Sequence, residues 1–330
     1  MIDSKPRVLV LTTAKPDYLQ DSVLVGLKSL LGRSVEDVPV KDCLYEDFDP
    51  EEPLYGRGFT LYRTLPPGCR GDGSLDVDEL GPTLSDYDLI VFGRIRRQKK
   101  LLFKWFSGGL LLRRHPALVF LDGEDHQRMF WPAMPFGKYF KREKSTWAGW
   151  VRPISFGIPD SKILAGDCQK TKDFPRHVQC EEAYKLDRVR ESSENSYAFD
   201  READYYADIA TSRFGVTMKK GGWDCMRHYE IAAQGTVPAF YRLRDKPEHC
   251  APHGLVDMEN CIAFDTASEL EGKIQTISAT PGKYETMRAH TLDWARDHTC
   301  EAVARRVLAA CTGRGSRLHG EGGCLSVDRS

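Results

Sequence analysis

Residues 218–241, MKKGGWDCMRHYEIAAQGTVPAFY, crowd Lys219, Lys220, Arg227 and Glu230 around one tight turn. The run ending at Met218 reads as a strand (212–218). Residues 225–234 read as a helix, and VPAFYR (237–242) reads as the next strand. In a strand–turn–helix unit, Gly221 and Gly222 let the backbone approach a bulky anion and turn its N–H groups inward. Asp224 stands where a helix N-cap belongs. The first turn of a helix carries partial positive charge and free N–H groups, which suits a diphosphate. Lys219, Lys220 and Arg227 would neutralise that group without a metal ion. Glu230 lies one turn after Arg227 on the same face, where a carboxylate accepts from two sugar hydroxyls as acidic residues do for ribose. The competing reading is a capped surface helix with an ordinary Arg–Glu pair. Gly235 to Pro238 carries no chemistry: the glycine ends the helix and the proline opens the strand.

A second cluster is LDGEDHQ (121–127), which sets Asp122, Glu124, Asp125 and His126 just past a strand end. Carboxylates grouped there can raise one another's pKa and take a proton from an acceptor hydroxyl. An acidic turn with a helix N-cap explains the same residues equally well. Asp17, in TTAKPDY, follows the first strand and is the second base candidate. Asp76-Val77-Asp78 sits in a glycine-rich stretch, so it reads as an acidic helix start and not as a strand-end metal motif. The nine histidines and ten cysteines show no ligand spacing, so no metal site is expected. His126 and His228 read as solvated or packed.

The elements that must position these residues are legible in outline. RVLVLTT (7–13) reads as a strand buried on both faces, 21–32 as a helix stopped by glycine, and 34–40 as a second strand. Strands at 87–95 and 117–126 follow, with a helix between them. Residues 49–83 read as irregular around a short TLYRTLP strand, and 135–160 as a crossover. Residues 266–278 and 284–310 read as helical, and the Gly-, Ser- and Arg-rich tail from Thr312 as disordered. The pattern predicts an α/β chain in two halves: residues 1–150 for the acceptor, 151–311 for the donor, then a tail at 312–330. Ligands of such sheets lie beyond the carboxyl ends of the strands, so the cleft between the halves is the expected site.

At this point the sequence resembles two-domain (GT-B) glycosyltransferases, most closely the exostosin-like and CgeB-like families. The resemblance rests on the glycine turn followed by Arg227, Glu230, Gly235 and Pro238, with YFKRE (139–143) and FGIP (156–159) ahead of it. It implies two facing Rossmann-like domains, a nucleotide-diphosphate sugar on the C-terminal half, and a glycan, lipid-linked or small-molecule acceptor on the N-terminal half. It also implies a role in polysaccharide synthesis. The other reading is a non-catalytic nucleotide- or sugar-binding protein on the same fold. A nicotinamide enzyme is disfavoured, since no Gly-x-Gly-x-x-Gly follows the first strand.

Lys plus Arg (47) nearly balances Asp plus Glu (48), so no global field draws the chain to nucleic acid. The N-terminal apolar run is too short for a secretory segment, and unpaired thiols suit a reducing cytoplasm. RRQKKLLFKWFSGGLLLRRH (96–115) alternates cations with bulky apolar groups and suits a peripheral contact with an anionic bilayer. The plainer reading puts Phe103, Trp105 and Phe106 in the core, because every helix of an α/β layer needs an apolar side.

Overall fold

The structure, a computed structural model, describes residues 5–49, 54–71, 73, 75–109, 117–144, 149–196 and 198–311. The predicted tail at 312–330 lies outside the described residues. Strand β1 (Val8–Leu11) is apolar and wholly buried, as a central strand must be. Helix α1 (Tyr18–Leu31) begins three residues ahead of the predicted start because Asp17 caps it, its Oδ1 accepting from the Gln20 amide at 2.9 Å. Gly32 (φ 62°) ends it by donating its N–H to the Lys28 carbonyl. Strands β2 (Val35–Val38), β3 (Leu89–Phe92) and β4 (Ala117–Asp122) follow. Helix α2 (Ile95–Ser107) lies between the last two.

The stretch read as a crossover supplies two more strands, β5 (Lys138–Lys141) and β6 (Val151–Pro153). The sheet is parallel with order β2-β1-β3-β4-β5-β6. Residues 54–69 hold only short 3-10 turns and a lone Tyr45–Leu65 bridge, so the predicted TLYRTLP strand is absent. Residues 77–79 form a turn, not a helix start: the Asp78 amide donates to Asp76, and Asp78 pairs with Lys104.

Helices α3 (Asp187–Ser192) and α4 (Glu202–Ala210) lead into a second parallel sheet. It consists of β7 (Phe214–Met218), β8 (Val237–Tyr241) and β9 (Ile262–Phe264), in that order. Helix α5 (Met226–Ala233) joins β7 to β8. Helices α6 (Ala267–Ala279) and α7 (Lys283–Asp297) follow β9. The predicted helical run at 284–310 is broken at His298–Thr299, and its second part, α8 (Cys300–Cys311), leaves the second sheet. It packs on α1 of the first half, where a Cβ on Gly26 would lie 1.9 Å from the Cys300 carbonyl oxygen. Only glycine lets these two helix backbones approach so closely. One apolar cluster therefore runs from β1 and α1 through α8 to Met226, Tyr229 and Ala233 of α5.

Trp105 is buried beneath α2, but Phe103 and Phe106 are 45% and 40% exposed. They cover Phe130 and Phe136 from outside, with ring centroids 6.2 and 4.5 Å apart, so the core reading holds for Trp105 alone. Among the described residues no helix is long and apolar enough to cross a membrane.

Candidate functional site

In the first sheet the strand order reverses between β1 and β3, and acidic residues gather beyond those carboxyl ends. Asp17 uses one oxygen as the α1 cap and pairs the other with Arg94 Nε at 2.9 Å. Arg94 also approaches Glu124 at 3.7 Å, and Arg97 approaches it at 3.9 Å. Asp122, at the end of β4, is 1% exposed. It accepts from Arg96 Nε at 3.0 Å, Lys141 Nζ at 3.1 Å and the Tyr139 hydroxyl at 2.5 Å. A carboxylate held by two cations and a phenol binds strand to strand and has no oxygen left for an acceptor. Glu124 is half-buried and Asp125 is 58% exposed.

Across from them stands the glycine turn between β7 and α5. Its neighbours are side chains of the first half: a Cβ on Gly221 would lie 2.3 Å from Asp125 Oδ2, and one on Gly222 would lie 2.4 Å from Glu143 Oε1. The Asp224 amide donates to Glu143 Oε1 at 3.2 Å. Arg142, 1% exposed, donates to Glu143 Oε1 (2.9 Å), the Asp224 carbonyl (3.0 Å) and the Gly123 carbonyl (2.9 Å), and also to Asp125. Its guanidinium lies over the Phe156 ring at 4.6 Å. Burial opposes that charge, but Asp224, Glu143 and Asp125 together hold the Arg142 pKa above its ordinary value. Thus Arg142 and Glu143 rivet the glycine turn to the carboxyl edge of the first sheet.

Asp224 does not cap α5, contrary to the sequence reading; Cys225 is the N-cap residue and makes no side-chain cap bond. The Asp224 carboxylate points inward, accepting from the Phe156 amide at 2.9 Å and the Tyr229 hydroxyl at 2.5 Å. Burial pushes its pKa up to about 6, against the pull of Arg142. Lys219 sits over the Trp223 ring at 5.1 Å. His228 is packed: one ring nitrogen bonds Thr217 Oγ1 at 2.7 Å and the other the Trp223 carbonyl at 2.9 Å.

A cavity of about 530 Å³ opens between the halves on the other side of the turn. The first half lines it with Tyr18, Gly56, Arg57 and Phe59; the second lines it with Gln179, Tyr205, Lys220, Cys225, Arg227 and Glu230. The predicted residues Lys220, Arg227 and Glu230 are therefore brought to one space, while Lys219, Gly221, Gly222 and Asp224 are not among its lining residues. Glu230 is 8% exposed, and each of its oxygens accepts from a hydroxyl: Thr60 at 2.5 Å and Tyr205 at 2.6 Å. Burial lowers the Lys220 pKa and Arg227 lowers it further. Nearby His177 is pushed down to about 4 by burial, again helped by Arg227. The charge of Arg227 thus reaches both groups, second to burial. A second cavity of about 480 Å³ shares Gln179 and Lys220 with the first and continues past the ends of β7 and β8 to Asn195, Met218 and Tyr241. Arg57, Thr60, Tyr205 and Gln179 escaped the sequence reading; the only hint was YGRGFT (55–60), a cation set among glycines in a stretch read as irregular.

Buried histidines make the fold acid-sensitive. Burial drives His228 and His253 down to about 3 and His177 and His298 to about 4, from an ordinary 6.5. Between 6.5 and about 4 the unfolded chain binds these protons and the folded chain does not, so stability falls as pH falls. Asp21 and Asp224, raised to about 6, act in the opposite direction but number two against four. Melting temperature measured from pH 7.5 to 4.5 is expected to fall steadily; a flat or rising profile would show that these imidazoles are not held neutral.

No known protein family matches the sequence, and no curated protein matches it. Solved structures do. Anabaena HepE, crystallised with UDP-glucose, superposes with a TM-score of 0.51 at 11% identity over 92% of this chain and 98% of its own. A glycosyltransferase from Rickettsia africae gives 0.53 at 9% identity over 92% and 97%. The fold is GT-B-like. At these identities the likeness speaks for the GT-B-like architecture of two parallel α/β halves facing across a cleft.

Proposed function

We propose that this chain is a glycosyltransferase that moves a sugar from a nucleoside-diphosphate sugar to a hydroxyl acceptor, a glycan, a lipid-linked glycan or a small molecule. One observation carries the reading: Lys220, Arg227 and Glu230 line a single cavity between two GT-B-like halves. In the reaction the bond from the anomeric carbon to the diphosphate breaks, and its electron pair leaves on the diphosphate. Lys220 and Arg227 lie where that charge would grow, and charges fixed in advance cost no reorganisation at the moment of reaction. Glu230 already accepts from two hydroxyls. A ribose would replace Thr60 and Tyr205 with its own pair, one hydroxyl for another. The acceptor oxygen bonds to the anomeric carbon as a base takes its proton; Glu124 and Asp125, beyond β4 and outside the residues that line this cavity, are the candidates for that base. The finer kinship, with exostosin-like and CgeB-like enzymes, rests on Arg227, Glu230, Gly235 and Pro238.

The HepE complex makes uridine diphosphate and its sugars the first ligands to try. Uridine diphosphate is expected to raise the melting temperature, and UDP-sugars to be hydrolysed slowly, releasing the free nucleotide. A protein that only binds nucleotide would show the first effect without the second. Since side-chain cations supply the positive charge, chelation by EDTA is expected to leave turnover within about twofold; restoration by added magnesium or manganese would refute that assignment.

A further inference from the structure

The geometry points to Arg57, from the first half, as a third cation for the donor's diphosphate, closing the site from the side opposite Lys220 and Arg227. This rests on the glycosyl-transfer reading above.

Arg57 lines the same cavity as Lys220, Arg227 and Glu230. It sits in a loop of unusual backbone shape. Gly56, Arg57 and Gly58 have φ of 60°, 59° and 70°, and Thr60 has φ of 72°. A residue other than glycine in this region is strained and persists where its surroundings over-determine it. Here they do. The Thr60 amide donates to Glu202 at 2.6 Å, and its hydroxyl bonds Glu230 at 2.5 Å and Tyr206 at 3.0 Å. Three side chains of the second half thus clamp a loop of the first; when a ribose takes Glu230, Glu202 and Tyr206 still hold Thr60, and the loop carries Arg57 to the cavity.

Charge points the same way. Three cations line this cavity against one lining carboxylate, Glu230, which already accepts two hydroxyl bonds. Arg57 forms an ion pair with Asp200, whose side chain is 93% exposed. An ion pair held that far into water contributes little. A diphosphate, with four or more acceptor oxygens in a partly enclosed site, is the stronger partner for a guanidinium. When the bond to the anomeric carbon breaks and the electron pair leaves on the diphosphate, Arg57 adds positive charge from the far side. Because that charge comes from the first half and the others from the second, the leaving group is fully neutralised only with the two halves together.

The test uses the full chain and four nucleoside diphosphates (UDP, ADP, GDP and dTDP), carrying forward the tightest binder with its monophosphate, its nucleoside and its glucose ester. Arg57→Ala, checked for an unchanged circular dichroism spectrum, is expected to weaken diphosphate binding at least tenfold. It should leave nucleoside binding unchanged and lower the rate of nucleotide release at least fiftyfold. Arg57→Lys should restore part of the loss. Asp200→Asn, which breaks only the ion pair, should behave as wild type. Wild-type affinity and turnover in Arg57→Ala would overturn the inference, as would equal losses in Arg57→Ala and Asp200→Asn, which would mark the pair as a structural tie. Failure of the wild-type chain to bind any of the four diphosphates would instead remove the glycosyl-transfer reading and this inference with it.

Discussion

Arg142→Met is expected to cost about 3–5 kcal/mol of stability, the usual loss when one partner of a buried ion pair is removed. The methionine keeps apolar bulk over Phe156 but removes every bond that Arg142 makes to Glu143, Asp125 and the carbonyls of Gly123 and Asp224. Glu143 is 2% exposed and Asp224 is 4% exposed, so both carboxylates are left in low dielectric without their cation. For Asp224 the easiest relief is protonation. Asp224 already titrates at about 6, and losing Arg142 pushes it higher. The deficit should therefore be largest near pH 7.5 and shrink as pH falls toward 6, where the variant's Asp224 is already protonated and the proton replaces the missing positive charge; below 6 both proteins are protonated there and the difference levels off. Urea unfolding of both proteins at pH 7.5 and 5.5 measures this directly. A variant as stable as wild type at both pH values would mean that the two halves are not riveted through this residue.

The second large effect concerns turnover. If Arg227 meets the leaving diphosphate, Arg227→Ala should lower kcat by about 10²–10³, the range seen when a preorganised donor to a developing anion is removed. Glu230→Ala should act differently. A ribose held in the ground state and the transition state alike contributes uniform binding, so its loss raises the donor KM and changes kcat little. Glu230 is tied to Thr60 and Tyr205, so a modest fall in stability should accompany the change. Steady-state kinetics against a UDP-sugar, with nucleotide release as the signal, separate the two patterns. Folded variants that both keep wild-type kcat and KM would remove these residues from the mechanism.

The outline of the fold was readable because apolar strands such as Val8–Leu11 and Leu89–Phe92 have few alternatives to burial. What stayed hidden was hidden by charge. Lys141, Arg142, Glu143 and Lys144 are at most 5% exposed, yet in a sequence four consecutive charges look like surface. Their burial depends on partners distant in the chain, Asp122 and the turn at 222–224, which no local pattern announces. That is why β5 reads in the sequence as part of a crossover. The same limit shaped the reading of the site. Lys220, Arg227 and Glu230 line one cavity, an arrangement that the local geometry of strand, turn and helix sets. The glycines were read as making room for an anion; in the structure the carboxylates that approach them belong to Asp125 and Glu143. Asp122 shows the converse, a strand-end acid whose environment of Arg96, Tyr139 and Lys141 is set wholly by tertiary contacts. Arg57 lies in a loop whose shape depends on Glu202, Tyr206 and Glu230 across the cleft, so nothing near it in sequence gave it away.

The return of α8 to the first half means that the polypeptide passes between the halves twice, once after β6 and again after α7. The two passages are bonded side by side: the Ile158 amide donates to the His298 carbonyl at 3.0 Å, and the Cys300 amide donates to the Ile158 carbonyl at 2.8 Å. A single thread would let one body swivel about it in any direction. Two threads laced together resist twist, and so keep the residues that each half contributes to the cavity in one register.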